Sequence, residues 1–121
     1  METILVADDN AAVRHLLRVR LEILGLDILE AADGQAALDL VRAAHPSMVV
    51  LDLDMPNLNG FEVCTQLKAD EATRDIPVFI LTGTADDDVQ GHAFCAGANG
   101  VFAKPWDLQA LCQVIAQFVH S

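Results

Sequence analysis

The sequence predicts an α/β domain: a five-stranded parallel sheet ordered 2-1-3-4-5, doubly wound, with helices on both faces. Two observations carry this expectation. Five short apolar runs alternate with five helical patterns along the 121 residues, and runs without polar alternation read as strands covered on both faces. The connections are a few residues long, which suits consecutive β-α units and a parallel sheet. Right-handed crossovers limit the topologies, and 2-1-3-4-5 is the natural order for five such units.

The elements follow in order. Thr3–Ala7 is an apolar run that ends in Asp8-Asp9 and reads as strand one. Asn10 can cap the next helix, in which Val13, Leu16, Leu17, Leu21 and Leu24 recur at helical spacing until Gly25 stops it. Asp27–Ala31 is strand two. Asp33 caps a helix with Ala36, Ala37, Leu40 and Val41 as its inner face, and His45-Pro46 ends it. Met48–Asp52 is strand three, the most apolar of the runs, and Asp52 sits at its carboxyl end. Loop formers fill residues 53–60, after which a third helix runs through Phe61, Val63, Cys64 and Leu67.

Residues 77–82 form strand four, with Pro77 in the first position, where a missing N–H is tolerated. Asp86-Asp87-Asp88 opens a fourth helix, where carboxylates suit the positive dipole end. Its apolar stripe is thin (Val89, Ala93, Phe94), and Gly91 interrupts it. Residues 101–103 are a short fifth strand followed by Lys104-Pro105. Asp107 caps the last helix, whose inner face is Leu108, Leu111, Cys112, Ile115, Phe118 and Val119.

Length makes residues 1–121 a single domain. Cys64, Cys95 and Cys112 are odd in number, far apart and without a CxxC, which argues against a disulfide frame or a zinc site. The formal net charge of −11 speaks against nucleic acid or an anionic membrane as a direct partner and favours a divalent cation. No basic region precedes an N-terminal apolar run, and no stretch approaches the roughly 18 apolar residues of a membrane span. A cytoplasmic location is expected.

The residues at the carboxyl ends of the predicted strands are Asp8 and Asp9, Asp52, Thr82 and Lys104. In the expected strand order they converge on one end of the sheet, at the switch point between strands one and three, where open α/β sheets place ligands. Three carboxylates packed together repel, and a hard cation such as Mg²⁺ removes the conflict while keeping waters and room for a phosphate oxygen. Lys104 supplies a compact positive charge, and it is the only lysine or arginine from Asp75 onward. Thr82 offers a hydroxyl, and Gly83 beside it allows a backbone N–H to approach closely. A carboxylate can accept a phosphoryl group as a mixed anhydride, a reaction that needs positioning and charge neutralisation.

Taken together, Asp8-Asp9, Asp52 with Met55-Pro56 and Gly60 behind it, Thr82-Gly83 and Lys104-Pro105 resemble the pattern of a response-regulator receiver domain of two-component or phosphorelay signalling. The resemblance covers the whole chain and implies the flavodoxin-like fold. It implies that Asp52 is the phosphoacceptor. Asp9, Asp52 and the backbone carbonyl of Asp54 would be direct Mg²⁺ ligands, and Asp8 would act through water. Thr82 would be the hydroxyl that moves to the phosphoryl group and Lys104 the residue that pairs with that group, and the Lys104–Pro105 bond is expected to be cis. The phosphodonor histidine would belong to a partner kinase or phosphotransfer protein. The protein would change conformation to control an output partner or domain, and would not be an enzyme beyond its own phosphorylation and dephosphorylation.

Two positions depart from the family pattern. Val101 stands where an inward-swinging aromatic ring is usual, and Phe102 next to it points to the opposite sheet face. Asp54 is acidic at a position beside the phosphoryl group and is expected to alter the dephosphorylation rate. On helix one, Val19 and Ile23 form a second apolar stripe beside Arg14 and Arg18, read either as a wide core face or as a docking patch for a donor helix. The alternative function is a small phosphatase of haloacid-dehalogenase type, which also uses an aspartyl phosphate. Its acidic pair, however, lies C-terminal to the nucleophile, while Asp8-Asp9 precede Asp52. A third reading is a pseudo-receiver that only binds partners, against which the intact acidic cluster argues.

Overall fold

The computed structural model describes residues 2–104 and 107–120. Its elements run β1 (Thr3–Ala7), α1 (Ala11–Ile23), β2 (Asp27–Ala31), α2 (Gly34–Ala44), β3 (Met48–Asp52), α3 (Gly60–Ala69), β4 (Val78–Thr82), α4 (Asp87–Ala96), β5 (Gly100–Ala103) and α5 (Leu108–His120). The strands pair in parallel in the order β2-β1-β3-β4-β5, the expected doubly wound arrangement. Strand four begins one residue later than the sequence suggests and strand five one residue earlier. The expected cis bond at Pro105 and the Val119 side chain lie outside the described residues.

Side-chain caps start α1, α2 and α4 where the sequence predicts them, whereas the Asp107 carboxylate, expected to cap α5, accepts from the Ala103 N–H. The Asn10 side chain accepts from the N–H groups of Ala12 and Val13, Asp33 from Ala36, and Asp86 from Val89. Asn59 and Glu62 form a reciprocal capping box at α3. Each such cap contributes about 1 kcal/mol. Gly97 ends α4 with φ +89°, a left-handed backbone that glycine adopts without strain.

The sheet divides the core into two apolar layers by strict alternation. Leu5, Ala7, Val49, Leu51, Val78 and Ile80 face α2, α3 and α4, meeting Leu38, Val41, Val63, Leu67 and Ala93. Ile4, Val6, Met48, Val50, Phe79 and Leu81 face α1 and α5, meeting Leu17, Leu21, Leu111 and Ile115. Every residue of β3 is buried, so its alternate side chains anchor both layers. Full burial of one such side chain stabilises by roughly 1.5–3 kcal/mol.

Three side chains expected on inner faces are exposed. Leu16 is 40% exposed, Phe94 83% and Phe118 48%. On α1 the inward line runs through Leu17 and Leu21, and Leu16 is turned about 100° from it. On α4 the inward pair is Ala93 and Ala96, which turns Phe94 to solvent. Phe118 keeps an edge-on contact with Phe79 at 5.7 Å. Val19 and Ile23 are also exposed, at 43% and 80%, so the second stripe on α1 is not core.

Lys68 has a structural part that no sequence pattern marks. Its Nζ donates to the carbonyls of Arg74 at 3.0 Å and Ile76 at 2.7 Å, tying the end of α3 to the turn before β4. Burial lowers its pKa from the usual lysine value. Replacing Lys68 by Met leaves these carbonyls without their cation. Thermal unfolding of Lys68→Met is expected to show a loss of about 1–2 kcal/mol.

Candidate functional site

The strand registers bring five side chains to one end of the sheet. Asp52 is the last residue of β3 and lies beside Leu81 of β4, whose next residue is Thr82. Thr82 pairs with Ala103 of β5, and Lys104 follows. Asp8 follows the last residue of β1, which pairs with Leu51. Parallel pairing therefore places Asp8, Asp9, Asp52, Thr82 and Lys104 at the same edge.

Lys104 is the centre of the charge arrangement. Its Nζ lies 3.1 Å from Asp8 Oδ2 and 3.1 Å from Asp52 Oδ1. Asp8 is fully buried and Asp52 is 3% exposed. Asp8 Oδ1 also accepts from the Asn10 N–H at 2.8 Å. Burial, reinforced by the Asp8 charge, pushes the Asp52 carboxyl up to about 6, although Lys104 and the backbone N–H of Asp54 oppose the shift. Burial works against the Lys104 ammonium as well, but its hydrogen bonds to Asp8 and Asp52 outweigh it and raise its pKa.

The carboxylates of Asp8, Asp9 and Asp52 each place one oxygen within 4.8 Å of the others. Asp9 is exposed at the mouth of the cluster. Two of these carboxylates pair with the Lys104 ammonium, Asp9 stands beside them, and the donors are all oxygen. That set fits a hard divalent cation that keeps part of its water shell. Asp54 is exposed at its side chain, and it is its N–H that reaches Asp52.

Thr82 is buried, and its hydroxyl is engaged with the next loop. It donates to the Thr84 carbonyl at 3.2 Å and accepts from the Thr84 N–H at 3.3 Å. At Gly83 a Cβ would meet nothing within 4 Å among the described residues, so crowding by them does not require glycine there. Gly60 is different: a Cβ would lie 2.8 Å from the Asp52 carbonyl oxygen, and its own N–H donates to Leu53 O at 2.9 Å. Val101 is half-buried and packs on the α2–α4 side of the sheet, while Phe102 packs on the α1–α5 side against Phe79. The ring next door therefore does not take the Val101 position.

Two residues near the site carry no site signal in the sequence. The Arg14 guanidinium donates to the Asp8 carbonyl at 2.6 Å, and the sequence shows only an arginine six residues past Asp8. Gly34 packs against the backbone of Leu58, in the loop after Asp52. A glycine at the first position of a helix gives no hint of that contact.

Comparison with known proteins agrees with this architecture. The family model described as the response regulator receiver domain matches residues 4–116. The chain is 39% identical over 113 residues to the DNA-binding dual master transcriptional regulator RpaA of Synechocystis, a match that covers 92% of this chain and 46% of that protein. It is 40% identical over 110 residues to the probable transcriptional regulator ycf27 of Porphyridium aerugineum, covering 91% and 45%. The chain thus spans less than half the length of these curated relatives. Among solved structures, the signal receiver domain of a DNA-binding response regulator from Colwellia psychrerythraea superposes with a TM-score of 0.92 at 32% identity, over 100% of both chains. The receiver domain of a Pseudomonas aeruginosa sensor histidine kinase, solved with a magnesium ion coordinated in its active-site cleft, gives 0.88 at 25% identity over 99% and 98%. The phosphatase alternative finds no support in these matches. With the sheet order, the acidic end and a model match over nearly its full length, the chain belongs to the response regulator receiver domain family.

Proposed function

We propose that residues 1–121 act as one receiver domain that accepts a phosphoryl group on Asp52 from a phosphohistidine of a partner kinase or phosphotransfer protein. The observation that carries this reading is the Lys104 ammonium, held 3.1 Å from both Asp8 and Asp52 at the edge where Thr82 also ends its strand. Asp52 would attack phosphorus as the P–N bond of the donor breaks, and the histidine would leave with the shared electron pair. Asp9, Asp52 and the Asp54 carbonyl would hold Mg²⁺, with Asp8 acting through water. When bound, the cation would neutralise charge on the equatorial oxygens of the transferring group. Lys104 would pair with a phosphoryl oxygen, and the Gly83 N–H would lie beside it. Thr82 would leave the Thr84 backbone to donate to another oxygen, freeing the loop that leads to α4. With Val101 in place of a ring, that loop is the means of passing the change outward.

The partner histidine would come to the open mouth at Asp9. The exposed stripe of Leu16, Val19 and Ile23 on α1 offers apolar contact for a donor helix. The net charge of −11 disfavours direct contact with nucleic acid, which would fall to an output partner or domain. A cytoplasmic location goes with a kinase donor; among the described residues no helix is long and apolar enough to cross a membrane.

Incubation with acetyl phosphate and Mg²⁺, followed by intact-mass measurement, tests the reading. One phosphoryl group per chain is expected, and none where a chelator is present from the start. Turnover of a simple phosphomonoester without a stable adduct would contradict it. Asp54→Asn is expected to lengthen the lifetime of the adduct several-fold, because it removes the exposed carboxylate able to orient an attacking water. A decay rate equal to wild type would sink that role for Asp54.

A further inference from the structure

Asp8 is held by a side chain from outside the strand ends. Nη1 of Arg14, in the first turn of α1, donates to the Asp8 carbonyl at 2.6 Å. Its Nε donates to Glu30 Oε1 of β2 at 3.2 Å. The Arg14 side chain is only 18% exposed and that of Glu30 28%. Arg18 also pairs with Glu30 and so fixes its carboxylate from the other side.

The remaining polar atoms of Asp8 are also engaged. Its N–H donates to Ala31 O at 3.1 Å. Its two carboxylate oxygens accept from the Asn10 N–H at 2.8 Å and from Lys104 at 3.1 Å. With Arg14 on the carbonyl, the peptide plane between Asp8 and Asp9 is fixed as well. The direction of the exposed Asp9 side chain depends on that plane. A surface ion pair with Glu30 alone would be worth little; the bond to a carbonyl inside the acidic turn is a different matter.

We propose that Arg14, aimed by Glu30, is a positioning residue for the cation end of the site, fixing the Asp8–Asp9 peptide so that both carboxylates converge on Asp52 before a metal ion arrives. The inference rests on the receiver reading above. Glu30 offsets the guanidinium charge, so the chief effect is geometric rather than repulsion of the cation. Lysine keeps the charge but presents no planar fork, and it cannot serve the carbonyl and Glu30 in the same fixed geometry.

Calorimetric titration with Mg²⁺ tests this on wild type, Arg14→Met and Arg14→Lys, together with amide hydrogen exchange on the metal-free proteins. Arg14→Met is expected to bind Mg²⁺ about tenfold more weakly, the lower end of the cost of losing a group that orients metal ligands. Arg14→Lys should fall between it and wild type. The Asn10 N–H should exchange faster in metal-free Arg14→Met, because its acceptor on Asp8 is less fixed. Acetyl phosphate labelling should need more Mg²⁺ for half-maximal rate yet reach the wild-type plateau. Lys68→Met, destabilised elsewhere, should keep the wild-type Kd, which separates positioning from stability. Wild-type Mg²⁺ affinity in folded Arg14→Met overturns the inference; if that variant does not fold, wild-type affinity in Arg14→Lys does so. Absence of Mg²⁺ binding by the wild type overturns the receiver reading itself.

Discussion

Asp52→Asn is expected to abolish phosphoryl labelling and, in metal-free buffer, to make the protein more stable. The first effect follows from chemistry, since an amide offers no carboxylate nucleophile for a mixed anhydride. The second follows from the surroundings of Asp52. The residue is 3% exposed, and burial with the Asp8 charge lifts its carboxyl to about 6 from an ordinary 3.8. The unfolded chain ionises this group more easily than the folded one. The native state therefore binds more protons between those values, and stability falls as pH rises from 3.8 through about 6. Asparagine has the same shape and no charge, so it escapes this loss. At pH 7 with chelator the gain is on the order of 1–3 kcal/mol, the opposing pull of Lys104 being already contained in the raised pKa. Wild type and variant should converge below about pH 4, diverge as pH rises to about 6 and stay apart above it. Excess Mg²⁺ should stabilise the wild type and leave the variant nearly unmoved. Thermal unfolding across pH, with and without metal, reads all of this. Parallel pH profiles would remove the repulsion argument.

The same charges explain why so much of the site is legible in the sequence. Asp8, Asp9, Asp52, Thr82 and Lys104 each follow or end an apolar run, and a parallel sheet sends every such end to one edge. Pattern alone therefore specifies the cluster. The surface around it is less legible. Leu16 and Phe94 fit a helical period loosely, and only the packing of Leu17 and Ala93 shows which line of the helix turns inward. Arg14 and Lys68 act on backbone carbonyls of residues six or more positions away. A carbonyl carries no side-chain signature, so no spacing of residue types announces such a bond. Gly34 is the extreme case, because its function is the absence of an atom.

Gly34→Ala is expected to lower stability by about 2–3 kcal/mol, and the melting temperature by roughly 10 °C. A Cβ at this position would lie 2.0 Å from the Leu58 carbonyl oxygen and 2.7 Å from its carbonyl carbon. These are backbone atoms, which cannot turn aside as a flexible side chain can. Nor is the loop free to drift: the Gly60 N–H is bonded to Leu53 O at 2.9 Å, and the Leu58 N–H to Pro56 O at 2.9 Å. Asn57 already holds a left-handed φ of 71°, so the tight path is in use. Relief must come from shifting α2, whose Leu38 and Val41 are core, or from displacing residues 53–59. The second course moves the Asp54 N–H that supports the Asp52 carboxylate. Labelling by acetyl phosphate should therefore slow along with the loss of stability. Gly83→Ala is the matched contrast, because a Cβ there meets nothing within 4 Å among the described residues. Its melting point should stay within the change of about 0.5 kcal/mol common for surface substitutions. If the two variants melted alike, close packing of α2 on the loop behind Asp52 would not be what glycine provides at position 34.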